Sequence, residues 1–458
     1  MYKLKPLLFL FAVIIFTACK KEKDIQAPPP PPPPVTPTVT LADLHKDTAL
    51  LYARDIFLWY NQIPTTFDAR SYADPDKIMR ALRQYSSESG FSQPVDRWSF
   101  GVDRQTWDNV SSGISGDFGI SVFFYNDNDL RVKLVEKASP AGQAGIKRGW
   151  RITKINGSTN IAPSNANVIV NSVWYSNSTN FTFQKPDGSS VDLTLTAKQY
   201  QENPIFVDTI YTRGNDKIGY MVFNSFLGDT TAIYNDFQRV FSKFSQAGVT
   251  EVAVDLRYNG GGYVSVQDKL ANYLVNSSAN GNVMMKQEFN NKYSRYNSTT
   301  NFQKLGNLNL NRIFFIVSSG SASASELLIN NLKPYMNVML VGPSKTYGKP
   351  VGYFPIEIGN WYILPVSFRS VNKNNEGSYF NGFALNHTSM DGLDKDWGDE
   401  NEASLASILN YISTGAFRSQ AAGSQSQSFQ EKPEVKAVNK KLDEIDFKGM
   451  IDKRQLLK

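Results

Sequence analysis

A repeated succession of apolar strands and helices between residues 218 and 341 constrains the fold of this chain most strongly. Apolar runs typical of buried strands lie at 218–223, 250–256, 313–317 and 338–341, and a helical pattern follows each of the first three. Strands that alternate with helices form βαβ units, in which the strands are parallel and the crossovers right-handed. The sequence therefore predicts an α/β core built on a mainly parallel sheet.

The turns after two of these strands consist of very small residues. Gly260–Gly262 follow the second strand, and a stretch of Ser, Gly and Ala at 318–325 follows the third. A strand that turns into a helix through such residues presents a side chain at the helix N-terminus, where free N–H groups and the helix dipole stabilise negative charge. This favours a nucleophilic serine, and a serine N-cap in a small-residue turn is the alternative. The absence of GxxxxGK[ST] and GxGxxG argues against nucleotide binding.

A serine nucleophile needs a base, because a hydroxyl is a weak nucleophile at its usual pKa. The chain has only two histidines, His45 and His387, and neither lies in a catalytic motif. A lysine whose pKa is lowered by burial can take the place of histidine. Lys349 lies on the loop after the strand that follows the serine turn, although a single lysine in a loop is usually solvated. The triple glycine offers one of the two N–H donors that an oxyanion hole requires.

A second region, from about residue 116 to residue 198, has the pattern of short strands and turns. Residues 139–157, SPAGQAGIKRGWRITKING, resemble a PDZ domain, with Trp150 where that family usually has Asp. The resemblance implies that the backbone N–H groups of Phe118, Gly119 and Ile120 hold the C-terminal carboxylate of a peptide, which adds as an extra strand. A domain that acts only as a spacer is the alternative.

Taken together, the motifs resemble the C-terminal processing (tail-specific) serine peptidase family over about residues 110–415. The resemblance is carried by Gly320–Glu326 (GSASASE), Tyr347–Lys349 and Asp255–Gly262, with the PDZ-like segment in front of the core as in that family. It implies a peptidase that cleaves proteins, recognised by their C-termini, through an acyl-enzyme, with neither cofactor nor metal ion.

The resemblance also implies individual roles at the site. Ser323 is the expected nucleophile and Lys349 the expected general base, while the N–H of Ala324 and that of Gly260 or Gly261 are the expected oxyanion donors.

Two departures from the family pattern affect this interpretation. The spacing from Ser323 to Lys349 is one residue longer than in many members, and Tyr353 stands where many members carry a glutamine that positions the lysine. Glu326 also matches the family motif, but the favourable effect of an acidic residue in the first turn of a helix is enough to explain its presence. A catalytically inactive PDZ-containing binding or scaffold lipoprotein is therefore the alternative function. A lipase or β-lactamase-type hydrolase is disfavoured, since the serine turn contains neither GxSxG nor SxxK.

The N-terminus resembles the signal of a bacterial lipoprotein. Two lysines precede an apolar stretch, residues 7–16, which is too short to span a membrane comfortably and ends shortly before Cys19, the only cysteine of the chain. Phe16 departs from the leucine usual at its position, and an ordinary signal peptide is the alternative. The resemblance implies lipidation of Cys19 and anchoring in the cell envelope, at the periplasmic face or the outer membrane. Pro28–Pro34 then predict a stiff polyproline spacer.

Composition limits the partners. Hydrophobic residues make up 41% and charged residues 20%, as in globular proteins, and five of the basic residues behind the net charge of +6 lie in the first 23 positions. No basic stripe indicates nucleic-acid binding, which leaves protein or peptide substrates and, through Cys19, the membrane as expected partners.

The predicted organisation is a signal peptide (1–18), a lipid-anchored Pro-rich linker (19–40), a helical N-terminal domain (41–110), a PDZ-like domain (111–200), a Ser-Lys peptidase core (201–415) and a flexible tail with at most one short helix (416–458).

Overall fold

The computed structural model describes residues 39–418, 432–443 and 447–452, and all of these from Leu41 onward belong to one unit. The predicted signal peptide, the lipidated Cys19 and the proline run lie outside the described residues. No helix in the described ranges is long and apolar enough to cross a membrane.

The N-terminal part contains the helices that the sequence predicts. Asp74 caps the second helix by accepting a hydrogen bond from the Lys77 N–H at 2.8 Å, and Pro75 begins it. Residues 41–110 were expected to be all helical, but they also contain a strand, Phe100–Asp103. It forms because it pairs with a strand more than 250 residues further along the chain. The elements are α1 (Leu41–Ile56), α2 (Pro75–Leu82), β1 (Phe100–Asp103), α3 (Arg104–Ser112) and β2 (Ile114–Ser115).

The next part forms a five-stranded antiparallel sheet around its own apolar core. Alternate residues of its first strand are buried, the period expected of a strand with one covered face. The sheet order is β3–β4–β5–β6–β7, so β3 lies at an edge. The elements are β3 (Ile120–Asn126), β4 (Asp129–Val135), α4 (Pro140–Gln143), β5 (Arg151–Ile155), α5 (Ala166–Val170), β6 (Ser178–Gln184) and β7 (Ser190–Thr196).

The remaining chain contains the predicted βαβ series and two further sheets. Its elements are β8 (Tyr200–Gln201), β9 (Ile205–Arg213), β10 (Asp216–Phe223), α6 (Thr230–Gln246), β11 (Glu251–Asp255), β12 (Gly261–Tyr263), α7 (Val264–Leu274), β13 (Val283–Phe289), β14 (Ser298–Asn301), β15 (Arg312–Ile316), α8 (Ala324–Leu332), β16 (Asn337–Gly342), β17 (Val351–Tyr353), β18 (Ile356–Ile358), β19 (Trp361–Leu364), β20 (Val366–Asn372), β21 (His387–Thr388), α9 (Ala403–Thr414), α10 (Pro433–Asp443) and β22 (Gly449–Ile451).

The central sheet has the order β21–β16–β15–β11–β10–β9, and only the β9–β10 pair is antiparallel. Both faces are covered, as parallel sheets require. Val254 and Phe315 belong to the apolar core that contains α6, α7 and α8, whereas Ala253 and Phe314 belong to the core that contains α9. The predicted α/β class with a mainly parallel sheet is confirmed.

The C-terminal residues are the main correction to the predicted organisation. Val435 and Leu442 of α10 are buried in the core of the five-stranded sheet, and β22 lies between β12 and β17 in a second six-stranded sheet. The short helix allowed in the predicted tail is present as α10, but a flexible tail is wrong for 432–443 and 447–452, which pack on the fold. The alternation of charged residues around few apolar ones hid β22, because two buried side chains, Met450 and Ile451, and a short backbone ladder are enough to fix a strand of this length.

Candidate active site

Ser323 occupies the turn between β15 and α8 in a backbone conformation that is rare for a residue with a side chain. Its φ is 59° and its ψ is −106°, and α8 begins at the next residue. L-residues seldom adopt positive φ outside glycine, and such strain concentrates at functional sites, as at the nucleophile of a strand-to-helix elbow. The residue is 0% exposed, and its Oγ has no hydrogen-bond partner among the described residues. A buried, unpaired hydroxyl costs stability and fits a group held ready for chemistry.

Glu326 connects the serine turn to the lysine loop. Its Oε2 accepts hydrogen bonds from the backbone N–H of Ser323 at 3.0 Å and of Lys349 at 2.8 Å, and its Oε1 accepts from the Gly348 N–H and the Thr346 hydroxyl, both at 2.6 Å. All four partners are donors, as an ionised carboxylate requires. Burial raises the pKa of Glu326, and the four hydrogen bonds oppose that rise. Glu326 therefore does more than place an acid in the first turn of a helix, and no sequence pattern indicates its contacts with the lysine loop.

Lys349 lies between β16 and β17 and is 0% exposed. Burial lowers its pKa well below the usual value for lysine, while the negative charges of Asp96 and Glu326 oppose the shift. The lowered pKa increases the fraction of neutral amine near neutral pH, which is the form that can accept a proton. The Nζ donates a hydrogen bond to the backbone carbonyl of Lys448 at 3.3 Å. It makes no hydrogen bond to Ser323 Oγ, which has no partner in the part of the chain that the structure describes.

Tyr353 lies beside Lys349, at the position where many members of the resembled family carry a glutamine. The Lys349 Nζ lies 3.6 Å from the centroid of the Tyr353 ring, and the tyrosine hydroxyl donates to the Trp98 carbonyl at 3.2 Å. A cation over an aromatic face is attracted by the ring quadrupole. An aromatic ring therefore positions this lysine, in place of an amide side chain.

The two segments that carry the predicted oxyanion donors lie next to each other, and one of the donors is already engaged. A Cβ added to Gly261 would stand 3.0 Å from the Ala324 nitrogen, so the glycine loop and the start of α8 touch. The Gly261 N–H, however, donates to Asn259 Oδ1 at 2.9 Å, which leaves Gly260 as the partner of Ala324. Asn259 also holds the two loops together, since its carbonyl accepts from the Ala322 N–H and the Ser325 hydroxyl.

The residues expected to hold a peptide carboxylate lie in a different part of the molecule. Phe118, Gly119 and Ile120 are buried at the start of β3. The Gly119 N–H donates to Asp117 Oδ1 at 2.7 Å, so a side-chain carboxylate of the chain itself already uses one of the expected donors. Nearby Glu136 has a raised pKa, first through burial and then through the charge of Glu202. A free peptide carboxylate would have to displace Asp117 from the Gly119 N–H.

A buried ion network joins the five-stranded sheet to the core. Arg148 donates to Asp391 at 2.6 Å and to the Tyr258 hydroxyl at 2.9 Å. Arg257 contacts the same Asp391 at 3.0 Å, and also Asp255 and Glu402. Because Arg257 and Tyr258 directly precede the glycine loop, the network fixes that loop relative to the turn before β5.

A single cavity of ≈ 1690 Å³ connects the two candidate sites. Its lining includes Gly260 and Gly261 as well as Gly119 and Ile120. Ser323, Ala324 and Lys349 are completely buried, and Lys349 contacts the Lys448 carbonyl of the C-terminal residues described above. In the described part of the chain, no group of three or more His, Cys, Asp or Glu side chains is arranged to hold a metal ion.

This arrangement, a mainly parallel α/β core with a serine at a strand-to-helix turn, corresponds to the fold of the S41 peptidases. A structure described as an S41 protease, from Bacteroides fragilis NCTC 9343, superposes with a TM-score of 0.66 over 80% of this chain and 97% of that one, at 22% identity. The model of Peptidase family S41 matches residues 217–384. This part of the chain is a peptidase family S41 domain, and it contains every residue predicted for the catalytic site.

Similar sequences agree with this assignment. "Probable CtpA-like serine protease" from Staphylococcus aureus (strain COL) is 29% identical over 281 residues, which cover 61% of this chain and 53% of the relative. The protein of the same name from Staphylococcus saprophyticus is 25% identical over 301 residues, covering 65% and 58%. The chain thus spans little more than half the length of these relatives.

Proposed function

We propose that this chain is a serine endopeptidase of the bacterial cell envelope, with Ser323 as nucleophile and Lys349 as general base. The observation that carries the proposal is the connection of these two residues through Glu326, which accepts a hydrogen bond from the backbone of each. The burial of Lys349 supports it further, because it lowers the lysine pKa towards the range in which an amine acts as a base.

The proposed reaction assigns each proton. Ser323 Oγ attacks the carbonyl carbon of a peptide bond while its proton passes to the neutral Nζ of Lys349. The oxyanion of the tetrahedral intermediate accepts hydrogen bonds from the Ala324 and Gly260 N–H groups. The amine leaves with the proton from Lys349, and a water molecule, deprotonated in the same way, then hydrolyses the acyl-enzyme.

Substrate recognition is proposed to involve the five-stranded, PDZ-like sheet. Its edge strand β3 begins at the Phe118–Ile120 loop, and a peptide C-terminus adding there would form a sixth strand. The Asp117 carboxylate on the Gly119 N–H is a competitor for the peptide carboxylate. We expect a peptide with a free apolar C-terminus to bind more tightly than its C-terminal amide, and Asp117→Asn to increase that difference.

A binding or scaffold lipoprotein without catalysis is the second candidate. It is favoured by the hydrogen bond from Lys349 Nζ to the Lys448 carbonyl, because this bond engages the lysine amine with a group other than Ser323 Oγ. The argument against it is that Glu326 joins the backbones of Ser323 and Lys349, and that the glycine loop lies against the start of α8.

The two candidates are distinguished by hydrolysis of a denatured protein and by labelling with a fluorophosphonate, in which the serine oxygen displaces fluoride from phosphorus. The full chain is compared with Ser323→Ala and Lys349→Met, and Lys345→Met is the matched control because Lys345 is an exposed lysine of the same loop. Both active-site variants should lose at least 10²-fold in rate, with the control unchanged. Binding of a C-terminal peptide without hydrolysis or labelling by any form would establish the scaffold function instead.

Anchoring through a lipidated Cys19 is proposed together with this function. It would hold the peptidase at the periplasmic face of a membrane or at the outer membrane, within reach of envelope proteins.

A further inference from the structure

We propose that the C-terminal segment, in its described parts 432–443 and 447–452, is an intramolecular ligand of this protein. Residues 447–452 fill the catalytic cleft, and residues 432–443 cover the edge of the PDZ-like sheet. A substrate peptide, with an aromatic residue in place of Phe447, must displace this segment before hydrolysis begins. The inference deepens the proposed function and rests on it.

The end of the segment lies in the cleft as an added strand. β22 is parallel to β12, with Gly449 opposite Gly261, and the Gly449 N–H donates to the Gly260 carbonyl at 3.0 Å. On its other side the Asp452 N–H donates to the Tyr353 carbonyl at 3.1 Å. The segment therefore pairs with the glycine loop that offers an oxyanion donor and with the strand that carries the tyrosine beside the catalytic lysine.

The same segment accounts for the missing hydrogen bond of the dyad. The Lys448 carbonyl accepts from Lys349 Nζ at 3.3 Å, while Ser323 Oγ has no partner in the described residues. Both catalytic side chains are 0% exposed. An enzyme in this state can neither admit a substrate carbonyl nor transfer the serine proton to the lysine, so the segment blocks the site sterically and chemically.

One side chain of the segment identifies a subsite for aromatic residues. The Phe447 ring packs edge-on against Trp107, with centroids 5.7 Å apart, and lies 6.2 Å from the Phe100 ring. Phe100 in turn contacts Tyr353 at 5.8 Å. Such pairs add specific stabilisation to the burial of the ring. Since Phe447 directly precedes Lys448, whose carbonyl faces the catalytic lysine, this aromatic pocket lies next to the reacting position.

The beginning of the segment covers the peptide-binding edge. The Asn439 side chain donates to the Phe124 carbonyl and accepts from the Phe124 N–H, both at 2.9 Å, which is how a neighbouring strand would pair with β3. Val435 and Leu442 fill the apolar surface beside it. One continuous segment thus occupies the two places where the proposed function requires a substrate.

Occupation of two sites by one chain has a quantitative consequence. A ligand tethered to its own site acts at an effective concentration in the millimolar range, so weak contacts are enough to keep the site filled. A substrate that engages both the β3 edge and the catalytic cleft competes far better than one that engages the cleft alone. Inhibition by the segment therefore selects for peptides that bind at both sites.

The first test uses the full chain with Ser323→Ala, so that no cleavage interferes. Hydrogen–deuterium exchange is followed in peptic fragments that cover 447–452, with and without the peptide Phe-Lys-Gly-Met-Ile-Asp, which is added well above the millimolar effective concentration of the tethered segment because it engages the cleft alone. Phe447→Ala in the same background removes the aromatic anchor, and Phe417→Ala is the matched control, because that ring packs on Tyr411 and His387 and has no contact with the cleft residues named here. We expect exchange at least tenfold faster with the peptide or with Phe447→Ala, and no change in the control.

The second test measures hydrolysis of an unrelated denatured protein with Ser323 intact. Phe447→Ala should raise kcat/KM about tenfold, and Phe417→Ala should leave it unchanged. If exchange in 447–452 responds neither to the peptide nor to Phe447→Ala, this segment is a permanent structural strand and the inference is overturned. The inference is also overturned if the parent enzyme is active and Phe447→Ala has the same kcat/KM. Absence of hydrolysis in every form would instead refute the proposed peptidase, while the exchange experiment would still decide whether the segment is displaced.

Discussion

Glu326 acts between two residues that lie 26 positions apart in the sequence, Ser323 and Lys349. Replacement by Gln leaves one carbonyl oxygen for four donors and turns an amide NH₂ towards two of them. Buried donors without acceptors cost about 1–3 kcal/mol. We therefore predict that Glu326→Gln lowers the free energy of unfolding by about 2 kcal/mol, and lowers kcat by 10-fold or more because the dyad loses its spacing.

Urea denaturation and steady-state kinetics on a denatured protein test this prediction. Glu400→Gln is the control, since that carboxylate makes an exposed ion pair with Arg213 and should change stability by less than about 0.5 kcal/mol. A fully stable and fully active Glu326→Gln would show that the loops are positioned by other contacts.

Tyr353 lies against the lysine that the proposed mechanism uses as its base, so it should affect the pH dependence. In that mechanism Lys349 accepts a proton only when neutral, so the acid limb of kcat/KM follows its pKa, and activity rises with pH through that value. The ring face favours the protonated amine, so removing the ring lowers the lysine pKa further. Tyr353→Leu should therefore move the acid limb to lower pH, by up to about one unit, and Tyr353→Phe should leave it in place. A shift to higher pH in Tyr353→Leu would contradict this account.

The residues at the site were predictable to different degrees. Ser323 and Lys349 follow from motifs that are local in sequence, and the structure brings their loops together. The role of Glu326 depends on backbone groups of a distant loop, and the loss of Gly261 as a donor depends on which way the Asn259 side chain points. Neither contact leaves a pattern in a single sequence.

Among the contacts between secondary-structure elements, the ion network around Arg148 has the clearest effect on stability. The Arg148 side chain is 1% exposed and forms an ion pair with Asp391. Asp391 forms a second ion pair with Arg257, which remains when Arg148 is replaced. Arg148→Met removes one partner of a buried pair, a change that is strongly destabilising when the remaining charge is not compensated. We predict a loss of about 2–3 kcal/mol in the free energy of unfolding.

The neighbouring Lys147 provides the control for this prediction. Its ion pair with Asp396 is 3.9 Å long and its side chain is 66% exposed, so Lys147→Met should cost less than about 0.5 kcal/mol. Unfolding in urea, followed by tryptophan fluorescence, compares the two. Equal stability of both variants would mean that Arg257 alone compensates Asp391.

Elements with a strong local period were predicted well, and those defined by a distant partner were not. The strands around 218–223 and 313–317 are confirmed within a few residues, and the helices predicted after the first two strands of the βαβ series are present as α6 and α7, because burial on both faces or on one stripe leaves a regular apolar pattern. β1 exists through pairing with β19, and β22 through pairing with β12 and β17. Their sequences are three or four residues long and carry no period of their own.

At the scale of the whole molecule, the chain has an S41 domain behind an N-terminal segment whose pattern predicts a lipoprotein. If Cys19 is acylated, most of the full-length protein should sediment with membranes and enter the detergent phase of Triton X-114. Cys19→Ala should move it to the aqueous phase, because the acyl chains would be the anchor.

Metabolic labelling with palmitate measures the same modification directly, and it should be lost in Cys19→Ala. Ser323→Ala is the control for this experiment, since it alters the proposed nucleophile without touching the signal, and it should be labelled as strongly as the parent. A parent protein that takes up no palmitate and stays in the aqueous phase would show cleavage by an ordinary signal peptidase. The peptidase would then act on soluble proteins of its compartment, and its reach would no longer be limited by the polyproline spacer after Cys19.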